Sequence, residues 1–194
     1  MVNLFDIRYL RIGTPNLDAA IDFATRIVGL QLVGREGKAA YFRSDKPKVR
    51  GDTRDHTLVY FEGDPSDHVA AFDILDRDAL DNVAAEIEAA GHPVHWGTTE
   101  ECELRRVKNF IAFKDPTGNK LEIVVKPFHT GTRYFPTRDA GITEFSHIGL
   151  RTSNAARDEA FWTRLMNARV SDWIGDAPLL RINVDTDAII PSRE

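Results

Sequence analysis

The sequence predicts an α+β fold built from repeated β-α-β-β-β units, and three observations support this. Apolar alternation and helical periodicity follow each other in the same order twice within the first 125 residues: strand, helix, three strands. A third strand-helix pair around residue 147 can be laid on the first without gaps at an offset of 138, matching Thr14 with Thr152, Phe23 with Phe161, Thr25 with Thr163 and Arg26 with Arg164. The stretch "DPTGN" at 115–119 sets a turn between two strands, with Pro116 at a turn position and Gly118 or Asn119 able to take positive φ.

In the first unit, "IRYLRIGT" (7–14) has strand character. The helix at 16–29 has Asn16 as N-cap, places Leu17, Ala20, Ile21, Ala24, Ile27 and Val28 at helical spacing, and stops at Gly29. "QLVGRE", "AAYFRSD" and "HTLVYFEG" supply three strands, the last preceded by the basic, polar loop "KPKVRGDTRD". In the second unit, "HVAAFDIL" (68–75) is a strand and 76–91 a helix ending at Gly91; "VHWGT", "VKNFIAFKD" and "NKLEIVV" follow as strands. A connecting segment of little periodicity leads to the third unit, with "FSHIGLRT" as strand and "NAARDEAFWTRLMN" as helix. The expected division is a two-unit domain at 1–125, a connecting segment at 126–143, an incomplete third unit at 144–182 and an atypical tail at 183–194.

The bulk numbers bound the function. With 194 residues, 42% hydrophobic and 28% charged, the chain can bury one good core and part of another. The net charge of −5 and the scattered Lys and Arg residues argue against nucleic acid as a partner. The single cysteine, Cys102, rules out an intramolecular disulfide framework, suits a reducing compartment and reads as an inert small side chain. With no signal-peptide pattern at the N-terminus and no uninterrupted apolar run of membrane-spanning length, the expectation is a soluble cytoplasmic protein without a membrane partner.

His147 interrupts an apolar strand pattern. A strand histidine with a satisfied ring nitrogen and a metal ligand both fit it. Its counterpart in the first unit is Tyr9, so the fold of the unit does not demand a histidine there. His56, His68, His92, His95 and His129 lie in loops or at strand ends, where solvated or capping roles are the simpler reading. No serine lies in a G-x-S-x-G turn, Cys102 has no identifiable partner, and no phosphate-cradling glycine loop occurs. "DILDRDALD" and "EECELRR" read as solvated helix or loop faces, and Phe161, Trp162 and Trp173 as packing for the third unit.

From residue 7 to about 182 the chain resembles the vicinal oxygen chelate (glyoxalase, bleomycin resistance, dioxygenase) superfamily and, within it, the type I extradiol ring-cleaving dioxygenases. "FKDPTGNKLEIV", "FSHIGLRT" and "FWTRLMNARVSDWIGDAPLLRI", in that order, carry the resemblance. It implies paired β-α-β-β-β modules, a metal-free N-terminal domain, and Fe(II), occasionally Mn(II), held by two histidines and one glutamate in the C-terminal domain. It also implies a small aromatic diol and dioxygen as substrates. On this resemblance His147 is the first iron-ligand position, Tyr9 and Val69 fill the corresponding slots of the first two units, and Glu122 is a structural or relict ligand position.

The sequence departs from that family after "APLLRI". No histidine follows His147, and the last twelve residues resemble the opening of the small subunit of isopropylmalate isomerase. Two of the three iron ligands are therefore missing in cis. The expectations are a truncated catalytic domain, inactive by itself with metal absent or weakly held, and association with another copy through exposed sheet edges. The alternative is a non-catalytic small-molecule-binding or interaction module of the same superfamily.

Overall fold

The computed structural model describes residues 1–44, 54–74, 76, 79–131, 134, 142, 146–183 and 188–192, the last of these by backbone alone. Residues 46–53 of the basic loop at 46–55 and most of the connecting segment lie outside the described residues. Two compact units are present. One contains Tyr9–Val69 and Pro127–Phe145; the other contains Met1–Arg8, Ala70–Lys126 and Ser146–Glu194. The strand β1 (Leu4–Thr14) contributes to both.

In the unit beginning at Tyr9, β1 is followed by α1 (Leu17–Asp22), which continues as a π-helical stretch, Phe23–Val28. β2 (Gln31–Glu36), β3 (Ala39–Arg43) and β4 (Leu58–Glu62) complete the module in the order β2-β3-β4-β1. β2, β3 and β4 are joined antiparallel, and β4 returns parallel to β1 with Leu10 opposite Leu58. A parallel partner cannot be reached by a tight turn, so the intervening helix and hairpin form the crossover. Leu17, Ala24, Leu30, Ala40 and Phe42 form its core, with Ile21 and Val28 packed on them from the predicted helical face.

The other unit holds the second and third modules. β5 (His68–Ile74), α2 (Leu80–Ala89), β6 (His95–Trp96), α3 (Thr99–Arg105), β7 (Val107–Lys114) and β8 (Lys120–Pro127) form the second, with strand order β5-β8-β7-β6. α2 falls within the expected helix at 76–91, and its face with Leu80, Val83, Ala84 and Ile87 is buried. α3 falls on "EECELRR", expected as a solvated helix or loop face. Its start is fixed by a capping box: Thr98 accepts from the Glu101 amide and the Glu101 carboxylate accepts from the Thr98 amide.

The third module contains β9 (His147–Arg151), α4 (Ala155–Ala160), a π-helical stretch Phe161–Leu165, β10 (Arg169–Ile174), β11 (Ala177–Arg181) and β12 (Ala188–Ser192). Its order, β10-β11-β12-β9, reproduces that of the first module. β12 lies within the stretch read as an atypical tail, yet it pairs parallel with β9, Ile148 opposite Ile189, as β4 does with β1. The sequence signal stops at Ile182 because 183–194 carry no clear alternation.

The internal repeat holds in its local hydrogen bonds. Asn16 and Asn154 both cap, accepting from Ala19 N at 3.0 Å and Arg157 N at 3.0 Å. Thr14 and Thr152 accept from the amides of these same caps, at 3.3 and 3.2 Å. Thr25 donates to Ile21 O at 2.7 Å and Thr163 to Glu159 O at 2.8 Å, both inside the π-helical turns. Even the bulges recur, between Leu32 and Gly34 and between Val170 and Asp172. The repeated Phe23 and Phe161 differ in burial, 50% against 6% exposed. Trp162 is buried against Phe72, with ring centroids 5.6 Å apart, whereas Trp173 is 49% exposed on β10, which corrects its expected packing role.

Asn16→Ala and Asn154→Ala are each expected to lower stability by about 1 kcal/mol in urea unfolding, the usual worth of an N-cap. Equal losses at both sites are the signature of a shared cap design.

Candidate functional site

His147 is the first residue of β9 and is exposed. Alternation along the strand puts His147, Gly149 and Arg151 on the exposed face, while Ile148 and Leu150 are buried. The strand is held from the side of the "DPTGN" turn. Asp115 accepts from the amides of Gly118 and Asn119, each at 2.8 Å, and from Asn119 Nδ2 at 2.6 Å; Gly118 takes φ 103°. Burial pushes the Asp115 carboxyl up, against the downward pull of these donors.

Asn119 Nδ2 also donates to the Arg151 carbonyl at 2.8 Å, and Ser153 N donates to Thr117 Oγ1 at 3.1 Å. The Thr117 hydroxyl donates to the carboxylate of Asp158, which is 1% exposed. Asp158 accepts in addition from Thr152 Oγ1 at 2.5 Å and Arg157 Nε at 2.9 Å. The turn that carries much of the family resemblance is thus the anchor of β9.

Glu122 sits on β8, 1% exposed, and its Oε1 accepts from Arg105 Nε at 2.8 Å and is 2.7 Å from Arg105 NH2. The guanidinium lies 4.2 Å from the centre of the Phe110 ring and also donates to the Glu101 carbonyl at 3.2 Å. Gly97 lies under that ring; a Cβ there would come within 2.0 Å of Phe110 Cε1. Burial raises the Cys102 thiol above its ordinary range, so it is not a thiolate at neutral pH.

The other histidines are accounted for locally. His56 is 3% exposed, stacks on Tyr9 with ring centroids 5.1 Å apart, and has Nδ1 3.1 Å from Asp55 Oδ2. The solvated role expected for it is therefore corrected, and the pattern "RDHTL" gave no sign of the Tyr9 contact from another strand. Tyr9, in the first-module slot, is 0% exposed, and Val69 is likewise buried. His92 Nδ1 is 2.9 Å from Lys114 O, and His95 Nε2 is 2.8 Å from Glu101 Oε2. His92 precedes β6 rather than sharing a strand with His95. His129 forms an isolated bridge with Arg54, and His68 opens β5 half-buried.

Among the described residues, no three His, Cys, Asp or Glu side chains are gathered so as to hold a metal ion. The described residues therefore do not by themselves supply a two-histidine, one-carboxylate iron centre at His147. A cavity of about 470 Å³, lined among others by Asn3, Thr163, Asn167, Arg169 and Arg181, includes neither His147 nor Glu122 in its walls. No helix among the described residues is long and apolar enough to cross a membrane.

Residues 6–123 match the Glyoxalase/Bleomycin resistance protein/Dioxygenase superfamily, and the chain belongs to it. The biphenyl-2,3-diol 1,2-dioxygenase of Sphingomonas paucimobilis is 28% identical over 172 residues, 84% of this chain and 55% of the relative. The iron-dependent extradiol dioxygenase of Rhodococcus jostii is 26% identical over 183 residues, 88% of this chain and 57% of that protein. The crystal structure of the Mn(II)-bound glyoxalase from Novosphingobium aromaticivorans matches with a TM-score of 0.80 at 25% identity, covering 99% of this chain and 63% of that one. The chain thus spans just over half the length of the curated relatives it matches.

Glu122→Ala would leave Arg105 charged and largely buried, and is expected to cost about 3 kcal/mol in denaturant unfolding, in the range for breaking a buried pair. Cys102 is expected to react with a thiol reagent at least about tenfold more slowly in the folded protein than in urea, as its burial and raised pKa require.

Proposed function

We propose that this chain serves in the extradiol cleavage of a catechol-type aromatic diol. Both atoms of dioxygen enter the substrate, the ring bond beside the hydroxyl pair opens, and a semialdehyde-type product results. Residues 1–125 are the metal-free N-terminal domain of that enzyme, and 144 onward opens its catalytic domain. His147 is the first ligand of Fe(II), or Mn(II), in the complete site. The similarity to proteins named as dioxygenases of aromatic diols supports the reaction class. The single observation that carries the role of His147 is its place: an exposed imidazole on the first strand of the third module, where the first module has buried Tyr9.

The described residues supply one of the three ligands, and one imidazole does not hold ferrous iron. No step is therefore assigned to the 194-residue chain acting alone. That same observation favours a second reading, a non-catalytic small-molecule-binding module.

Two measurements test these readings. The 194-residue chain, loaded with ferrous iron without oxygen and desalted, is expected to retain substoichiometric metal and to form no yellow ring-opened product from catechol or 2,3-dihydroxybiphenyl. Stoichiometric iron, abolished by His147→Ala, would overturn the one-ligand reading. In any form of the protein that cleaves a catechol, His147→Ala is expected to reduce that activity below detection; activity indifferent to the substitution removes His147 from the site.

A further inference from the structure

The first and third modules differ in charge at matching cross-strand positions. In the first, Gln31 lies directly opposite Arg43. The offset of 138 carries this pair onto Arg169 and Arg181, which oppose each other across β10 and β11. The fold of the unit therefore accepts a neutral side chain where the third module carries a second arginine. Directly opposed residues of an antiparallel pair share a face with Cβ atoms about 4.5–5.5 Å apart, and like charges placed so are destabilising. Arg43 is buried, and its guanidinium lies 5.7 Å from the centre of the Tyr134 ring. Arg169 and Arg181 are exposed instead, and among the described residues no carboxylate pairs with either of them.

Both arginines line the cavity of about 470 Å³, a volume within the range of small-molecule sites, about 300–1,000 Å³. Among the described residues its wall contains no Asp or Glu, and all of it belongs to the unit that holds the third module. Hydrogen bonds brace it. Asn167 Oδ1 accepts from Leu4 N at 2.9 Å, while its Nδ2 donates to the Leu4 carbonyl at 2.9 Å and the Ile182 carbonyl at 3.3 Å. Asn183 Nδ2 donates to the Phe5 carbonyl at 3.1 Å. The start of β1 is thereby tied to the chain just beyond β11, which fixes the backbone that carries Arg181. β10 and β11 form the end of their sheet away from β9, so a strand added beside β9 extends the sheet at the opposite end.

We propose that this cavity binds a small molecule through a doubly negative phosphate group held between Arg169 and Arg181. Two guanidinium groups carry two positive charges and present forks that match phosphate oxygens, so one dianion satisfies both. A carboxylate monoanion leaves one charge unbalanced. Asn3, also exposed in the wall, offers an amide donor. Binding relieves the repulsion between the opposed arginines, which gives the third module a use for a pair that its fold does not require. The inference is independent of the catechol reading, and either can fail alone.

Thermal unfolding of the 194-residue chain at about pH 8, where a phosphate group is dianionic, tests the assignment. Inorganic phosphate and glycerol phosphate, each at about 10 mM, are expected to raise the Tm by at least about 2 °C, the size a ligand near saturation produces in a chain of this length. Sodium chloride at equal ionic strength, which only screens, is expected to leave the Tm behind. The compound giving the larger rise shows whether the free anion or an ester is the better ligand. Arg169→Gln restores the pairing of the first module, so it is expected to fold with a Tm at least equal to the parent's in the absence of phosphate. By calorimetric titration it is expected to bind at least about tenfold more weakly, the loss of one charge-assisted contact. Arg181→Gln is expected to weaken binding to a like degree. No rise with either phosphate compound overturns the proposal. So does a rise that chloride reproduces, or one that both glutamine variants retain.

Discussion

Parallel pairing between the first and last strands of a module is the constraint on which the rest of the structure depends. Leu10 beside Leu58 and Ile148 beside Ile189 fix two strands pointing the same way, and such strands can be joined only by a long excursion. The helix and the antiparallel hairpin are that excursion. Closing the module this way consumes one side of the opening strand and leaves its other side for whatever comes next. For β1 the neighbour is β5.

The same constraint explains how much could be read beforehand. β1, β7 and β8 are long and apolar, and the helical face Leu80, Val83, Ala84 and Ile87 is regularly spaced, so local pattern identified them. The repeat was visible in four side chains because those residues make the same local bonds in both copies. Thr25 and Thr163 each bond four residues back, and Thr14 and Thr152 each receive the next cap's amide. Asn16 and Asn154 are a fifth identity that the sequence offered. α3 was half-seen, although Thr98 and Glu101 spell a capping box. β12 was missed because its evidence is a partner strand some forty residues away, and neither π-helical stretch has a spacing that distinguishes it from an α-helix.

The candidate residue His147 was legible as an oddity of its strand, but its surroundings were not. His147 stood out because a polar ring interrupted an apolar strand, and the structure does put it on an exposed strand face. What the sequence could not show is the strand paired beside it, since β12 lies some forty residues away. Glu122 illustrates the converse. Its position in "KLEIVV" matched a metal-ligand motif, whereas its carboxylate is engaged by Arg105, a residue on α3 with no local link to it. The anchor of β9 was likewise hidden: "DPTGN" reads as a turn, and only the folded chain shows Asn119 and Thr117 reaching the third module.

The first and third modules differ most in one span. Fourteen residues separate Arg43 from Leu58, while six separate Arg181 from Ala188, although both spans link the third and fourth strands of their modules. A connection of this kind is part of the excursion between the parallel strands, and doubling its length costs only about 0.6 kcal/mol of chain entropy. Insertions and deletions are thermodynamically cheap there and expensive almost everywhere else in the repeat. The one large difference in length between these two copies of the unit accordingly falls in this bridge.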